Sequence, residues 1–153
     1  MMLTYFIIIF VVALALAPLS HFAPSKRQRK VAGMREYAAV HGMFVEFRAL
    51  PDVGGVPLSA SVSGGQVIYY GRRFPNKRAG PIESGTWVHA PEGWRSLGNR
   101  LPVPAQLQAL SVDISVAAVD QFSCGIYWTE ASGEEGVEQI RQVLEGWCEQ
   151  LIR

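Results

Sequence analysis

The sequence predicts an α+β chain, in which a single N-terminal transmembrane helix is followed by one small domain with a mainly antiparallel sheet and packed helices. Three observations predict it. An apolar run with no Asp, Glu, Lys or Arg extends from Leu3 to Ala23. Short alternating segments separated by Gly and Pro turns fill the middle of the chain, as strands joined by hairpins do. The chain closes on apolar residues spaced by three and four, the period of an amphipathic helix.

Residues 3–23 supply about the ~20 residues a helix needs to cross a ~30 Å hydrocarbon core. A cleaved signal peptide carries a basic n-region and a small-residue cleavage site. Here only Met1-Met2 precede the run, and Ala15-Leu16-Ala17 runs directly into Pro18, so the segment is expected to stay as an anchor. Lys26, Arg27, Arg29 and Lys30 follow it, and such asymmetry puts the N-terminus outside and the C-terminal domain in the cytoplasm. These four are the expected membrane-surface residues, since anionic lipid attracts such a cluster by on the order of 1 kcal/mol per charge.

Residues 24–42 read as a basic juxtamembrane segment and an amphipathic helix, and residues 43–153 as the α+β domain. In the helix, Val31, Met34 and Tyr37-Ala38 fall at helical spacing, and Gly42 suits the left-handed position that ends it. His41 sits in the last turn, where an imidazole bonds free carbonyls. Met43, Val45 and Phe47 alternate with Glu46 and Arg48 until Pro51, a half-buried strand. A hairpin is expected around Ser63-Gly64-Gly65, its second arm carrying Val67, Tyr69 and Tyr70, with Tyr70 and Arg72 on one face and Tyr69 and Arg73 on the other.

Pro91 and Gly93 set the turn of another hairpin, flanked by Trp87 and Trp94. A short helix begins near Pro104 with Leu107 and Leu110 inward. Phe122, Cys124, Ile126 and Trp128 share one face of a central strand. Ser132 and Glu135 have the spacing of a capping box, ahead of Val137, Ile140, Leu144, Trp147 and Leu151 on the closing helix. The sum is five or six strands.

Charge is nearly balanced, 14 Lys+Arg against 13 Asp+Glu, which argues against a dedicated nucleic-acid binder. Its distribution is polar: 12 basic and 5 acidic residues from Lys26 to Arg100, then 2 basic and 8 acidic from Leu101 to Arg153. Cys124 and Cys148 sit among apolar residues and read as buried small hydrophobes in a reducing compartment. In an oxidising one they become a disulfide between the central strand and the last helix. No CxxC occurs and no His stands at ligand spacing, so neither metal nor cofactor is expected.

Phosphate-cradling glycine motifs, G-x-S-x-G and H-E-x-x-H are all absent from the sequence. Catalysis would need Glu130, Asp120 or His89 to meet in space, and no catalytic residue is assigned. Arginines beside aromatics suit anionic groups and partner surfaces. On that ground Arg72, Arg73, Lys77, Arg78, Trp87, Trp94 and Arg95, with Tyr69, Tyr70 and His89 nearby in sequence, form the candidate binding constellation.

The N-terminal layout resembles that of small single-pass bacterial inner-membrane proteins such as the auxiliary subunit of the preprotein translocase. It shares a short apolar span, a proline just beyond it, then Lys26-Arg27-Gln28-Arg29-Lys30 ahead of a helix. The likeness covers about the first thirty-five residues, and the domain here is larger than that family's compact module. The expectation is a membrane-anchored, non-enzymatic interaction domain, an accessory or scaffolding subunit at the bacterial inner membrane. Its partners would be the lipid bilayer and another membrane protein. The alternative is a sensor or carrier that binds a small anionic ligand or lipid headgroup through the arginine-rich hairpins.

Overall fold

The computed structural model describes residues 1–21, 24–52, 67–75, 80–98, 101–111 and 113–153, with the side chains of 18–21 left out. The chain divides into two compact units, Met1–Lys30 and Val31–Arg153.

The first unit holds helix α1 (Met2–His21). Among the described residues no helix is long and apolar enough to cross a membrane. The expectations of a transmembrane helix, a signal-anchor and a single-pass inner-membrane location are therefore corrected. The physical reason is length. From Leu3 to Ala17 the apolar stretch rises about 22 Å at ~1.5 Å per residue, short of a ~30 Å core, and Pro18, Ser20 and His21 then interrupt it. Helix α2 (Lys26–Val40) starts in this unit, where Ser25 and Gln28 cap each other. The Gln28 N–H donates to Ser25 Oγ at 3.2 Å and the Ser25 N–H to Gln28 Oε1 at 2.8 Å, a reciprocal capping box. Lys26, Arg27, Arg29 and Lys30 are exposed in its first turns.

In the second unit α2 buries Met34 and Ala38 and ends as its sequence predicts. His41 Nδ1 lies 2.8 Å from the Tyr37 carbonyl, and Gly42 takes φ 75°. Strands β1 (Met43–Glu46), β2 (Ile68–Arg73), β3 (Gly85–Ala90), β4 (Gly93–Leu97), β5 (Val116–Val119) and β6 (Ser123–Trp128) form one sheet. Its order is β1-β2-β6-β5-β3-β4, antiparallel at every step. The Pro91–Gly93 hairpin forms as expected, pairing Ala90 with Gly93. The first arm of the hairpin around Ser63 lies outside the described residues.

Period two divides the strands between two cores. Tyr70, Cys124, Ile126 and Trp128 meet the 3-10 helix η1 (Ala105–Ala109) and helix α3 (Gly133–Ile152) on one face. Helix α3 brings Val137, Ile140, Leu144 and Trp147, the stripe its spacing predicts. Tyr69, Val88, Ala90, Val116 and Tyr127 make a second, smaller cluster on the other face.

Local expectations fail where tertiary contacts compete. Ser132 makes no cap bond; it takes an αR conformation and donates its hydroxyl to Asp113 Oδ2 at 2.7 Å. The helix after Pro104 is a single 3-10 stretch, with i→i+3 bonds from the Leu107 N–H to Pro104 O and from the Leu110 N–H to Leu107 O, both 3.1 Å. Phe122 stands in the turn before β6 and is 72% exposed, not inward. Glu130, just past β6, adopts φ 59° and aims its carboxylate into the helix-side layer. There it accepts from Arg35 of α2 at 2.8 and 2.9 Å and from the Tyr70 hydroxyl at 2.8 Å, tying α2 to the sheet.

Candidate binding cleft

The cleft grows from two glycines. Gly71 of β2 pairs in register with Phe44 on one side and Gly125 of β6 on the other, which leaves bare backbone on the sheet face opposite the helices. The Tyr69 ring lies across it. A Cβ added at Gly125 would meet that ring at 2.2 Å, and one at Gly71 would meet Tyr69 at 2.5 Å and Phe44 at 2.6 Å. Only glycine admits so close an approach. Tyr69 in turn sets its edge against Tyr127, ring centroids 4.9 Å apart, and burial raises its phenol well above the ordinary range.

Two guanidinium groups rest on this aromatic floor. Arg48 lies 4.1 Å from the Tyr69 centroid and 5.6 Å from Phe44; Arg73 lies 5.0 Å from Phe44. Such placements over ring faces are favourable by about 0.5–2 kcal/mol. Arg48 is held by carboxylates, Glu46 at 2.7 Å and Asp120 at 3.5 Å. Arg73 differs. The ion pairs among the described residues engage Arg35, Arg48, Arg72 and Arg141 and leave Arg73 out, at an exposed strand end.

Asp120 organises the turn between β5 and β6. Its Oδ1 accepts the N–H groups of Phe122 and Ser123, both at 2.7 Å, and its Oδ2 accepts the Ser123 hydroxyl at 3.1 Å. Desolvation pushes its pKa up, but these donors and Arg48 outweigh it, so the carboxyl stays below the ordinary aspartate value. The Phe122 carbonyl accepts the Phe74 N–H at 2.8 Å, docking the turn on the end of β2. Phe44, Arg48, Arg73, Phe74, Pro75, Asp120, Phe122 and Ser123 line the resulting cleft of about 650 Å³.

The sequence-predicted constellation is not brought together. Trp87 is 3% exposed, donates its indole N–H to the Pro102 carbonyl at 3.1 Å and packs edge-on against Trp147, as core. Trp94 is buried against His89. Arg95 projects from β4, four strand spacings from β2, roughly 19 Å at ~4.8 Å each. Arg72 faces the helices and pairs with Glu145 at 3.7 Å. Lys77 and Arg78 lie outside the described residues. Of the predicted set's described residues, only Arg73 lines the cleft.

Phe44 and Ser123 escaped the sequence reading, which gave Arg48 to a polar strand face, Phe122 to the core face of the central strand and Asp120 only a conceivable catalytic part. The one local signal was Phe44, an aromatic on the face that Glu46 and Arg48 made look solvated. Nor do the potential acid–base residues meet. Asp120 and Glu130 flank opposite ends of β6, whose span is about 20 Å at ~3.3 Å per residue, and His89 packs on Trp94 of β4. Among the described residues no cluster of His, Cys, Asp and Glu has the arrangement to hold a metal ion. Ser123 is 2% exposed and commits its hydroxyl to Asp120. The arrangement thus offers a cation on an aromatic face beside an exposed phenyl ring, a chemistry of recognition.

Compared with protein-family models, characterised proteins and solved structures, the chain matches none.

Proposed function

We propose that the protein is a non-enzymatic interaction domain that takes a short acidic segment of a partner protein, anchored by an aromatic side chain, into the cleft between β1, β2 and the β5–β6 turn. The observation carrying this reading is Arg73, a guanidinium laid on Phe44 with no ion-pair carboxylate among the described residues, next to Phe122 at 72% exposure. Interface hot spots are enriched in arginine and in the aromatics Trp and Tyr, seated in well-packed, desolvated pockets. A carboxylate reaching Arg73 would gain a charge-assisted hydrogen bond of about 1.5–3 kcal/mol, while Phe122 would stack on the anchor. Asp120 works against a second anion beside Arg48, so the site favours one carboxylate near Arg73 over a dense anion such as phosphate.

The cleft volume of about 650 Å³ also falls in the range of small-molecule sites. A small aromatic carboxylate is therefore the second reading. Fluorescence anisotropy with a labelled hexapeptide of glutamates and one phenylalanine separates the two. Specific binding should weaken by about tenfold or more in R73Q and in F122S, as 1.4 kcal/mol or more lost in binding requires, and should fall when glutamine replaces glutamate in the peptide. Competition by benzoate at the same site would favour the small-ligand reading. Unchanged affinity in both variants, or no binding by the wild type, would sink the proposal.

A further inference from the structure

On the opposite face of the sheet, Cys124 and Cys148 share the helix-side core, one from β6 and one from α3. Interaction between the two thiols raises the pKa of Cys124, which burial raises further, and lowers that of Cys148. The pair is asymmetric in access as well. Cys124 is fully buried and Cys148 is 6% exposed, and of the two only Cys148 lines a second cleft of about 280 Å³, with Arg72, Phe74, Glu145, Glu149 and Ile152. Arg72 is the cross-strand partner of Cys124, so both side chains point to the helices, and its guanidinium is steered by Glu145, three residues before Cys148 on α3. A cation so placed favours thiolate over thiol at Cys148. Two inert core hydrophobes would require neither the cleft at Cys148 nor the arginine that lines it.

From this geometry we propose that Cys148 and Cys124 are an oxidation site, at which a hydroperoxide converts the dithiol into a disulfide that links β6 to α3. Cys148 is the attacking sulfur and Cys124 the resolving one. The Cys148 thiolate attacks the terminal peroxide oxygen and the O–O bond breaks. Cys148 becomes a sulfenic acid, and the departing alkoxide or hydroxide takes up a proton and leaves as alcohol or water. Cys124 sulfur then attacks Cys148 Sγ; the S–S bond forms as the S–O bond breaks, and the hydroxide leaves as water with the Cys124 proton. Two thiols have lost two electrons and two protons, and the peroxide has been reduced by the same two electrons.

The test exposes the reduced full-length chain to a small excess of hydrogen peroxide and follows free thiols and intact mass. Both thiols should disappear together as an intramolecular disulfide, found by non-reducing peptide mapping and reversed by dithiothreitol. C124S should accumulate a sulfenic acid at Cys148 that dimedone traps, and C148S should give no dimedone adduct at Cys124. R72Q should slow thiol loss by on the order of tenfold through the lost thiolate. Persistence of both wild-type thiols while free cysteine in the same tube is consumed would overturn the proposal, as would disulfides formed only between molecules. Mapping of the wild type does not depend on any variant folding. Equal rates for R72Q and wild type would remove Arg72 from the mechanism.

Discussion

Glu130 gives the sharpest test of how the sheet is tied to α2. Its side chain is 7% exposed and its Arg35 partner 32%, and it accepts three hydrogen bonds, two from Arg35 and one from Tyr70. Truncation to alanine removes both acceptor oxygens and with them all three hydrogen bonds. Arg35 recovers water because a third of it is already exposed, so the full penalty of ~3–5 kcal/mol for breaking a buried pair is too large here. The Tyr70 hydroxyl, in a fully buried residue, is left without its partner at about 1–3 kcal/mol. Together E130A should lose about 3 kcal/mol, or roughly 6–12 °C in Tm for a chain of this size.

The backbone supplies an internal control. At φ 59° an L-residue carries about 1–2 kcal/mol of left-handed strain, which glycine relieves while costing about 0.4–1 kcal/mol through the unfolded chain. E130G should therefore be about 0.5–1 kcal/mol more stable than E130A although it makes fewer contacts. Urea unfolding followed by circular dichroism measures both. If E130A stays within 0.5 kcal/mol of wild type (a surface-like value), or if E130G falls below E130A, the assigned roles of the carboxylate and the strain are wrong.

Two glycine substitutions should move in opposite directions. G125A forces a Cβ to within 2.2 Å of the Tyr69 ring and should destabilise by about 2–3 kcal/mol through overpacking. G146A, whose nearest neighbour is Gln106 at 3.7 Å, should stabilise α3 by about 0.5–1 kcal/mol; calorimetric Tm values rank the two. Asp120 predicts part of the acid response. Its folded pKa lies below the unfolded value near 3.8, so its contribution is complete above that value and is lost as pH falls through the folded pKa. Because the carboxylate is 43% exposed, solvent keeps the term below about 1 kcal/mol. Urea midpoints at pH 6 and pH 3 should converge slightly in D120N relative to wild type, and an unchanged gap would refute the Asp120 assignment.

Much of the fold was legible because local chemistry and tertiary demand coincide. The partition of Tyr69 and Tyr70 between two faces follows from strand period alone, and the α3 stripe from helical period. Other elements were illegible for definite reasons. Strand β5 reads Val-Ala-Ala-Val and is buried or nearly so on both faces, so it carries no polar alternation to betray a strand. The reciprocal capping box belongs to Ser25 and Gln28, whereas Ser132 has the right spacing but a better partner in Asp113. Spacing proposes a cap, and competition for the hydroxyl decides it.

By itself the sequence determined the class of the domain, the antiparallel hairpin at Pro91–Gly93, the closing amphipathic helix and the division of Tyr69 and Tyr70 between two faces, because these depend on residues a few positions apart. Only the tertiary structure decided where functional side chains meet. The order β1-β2-β6 brings Arg48, Arg73 and the Asp120–Ser123 turn to one cleft across some seventy residues of chain, and the same order carries Arg95 to the far edge of the sheet. It also leaves Cys124 and Cys148 in one core on the helix side of the sheet. Strand order is a property of long-range pairing, settled by which faces can bury one another, and no local spacing encodes it.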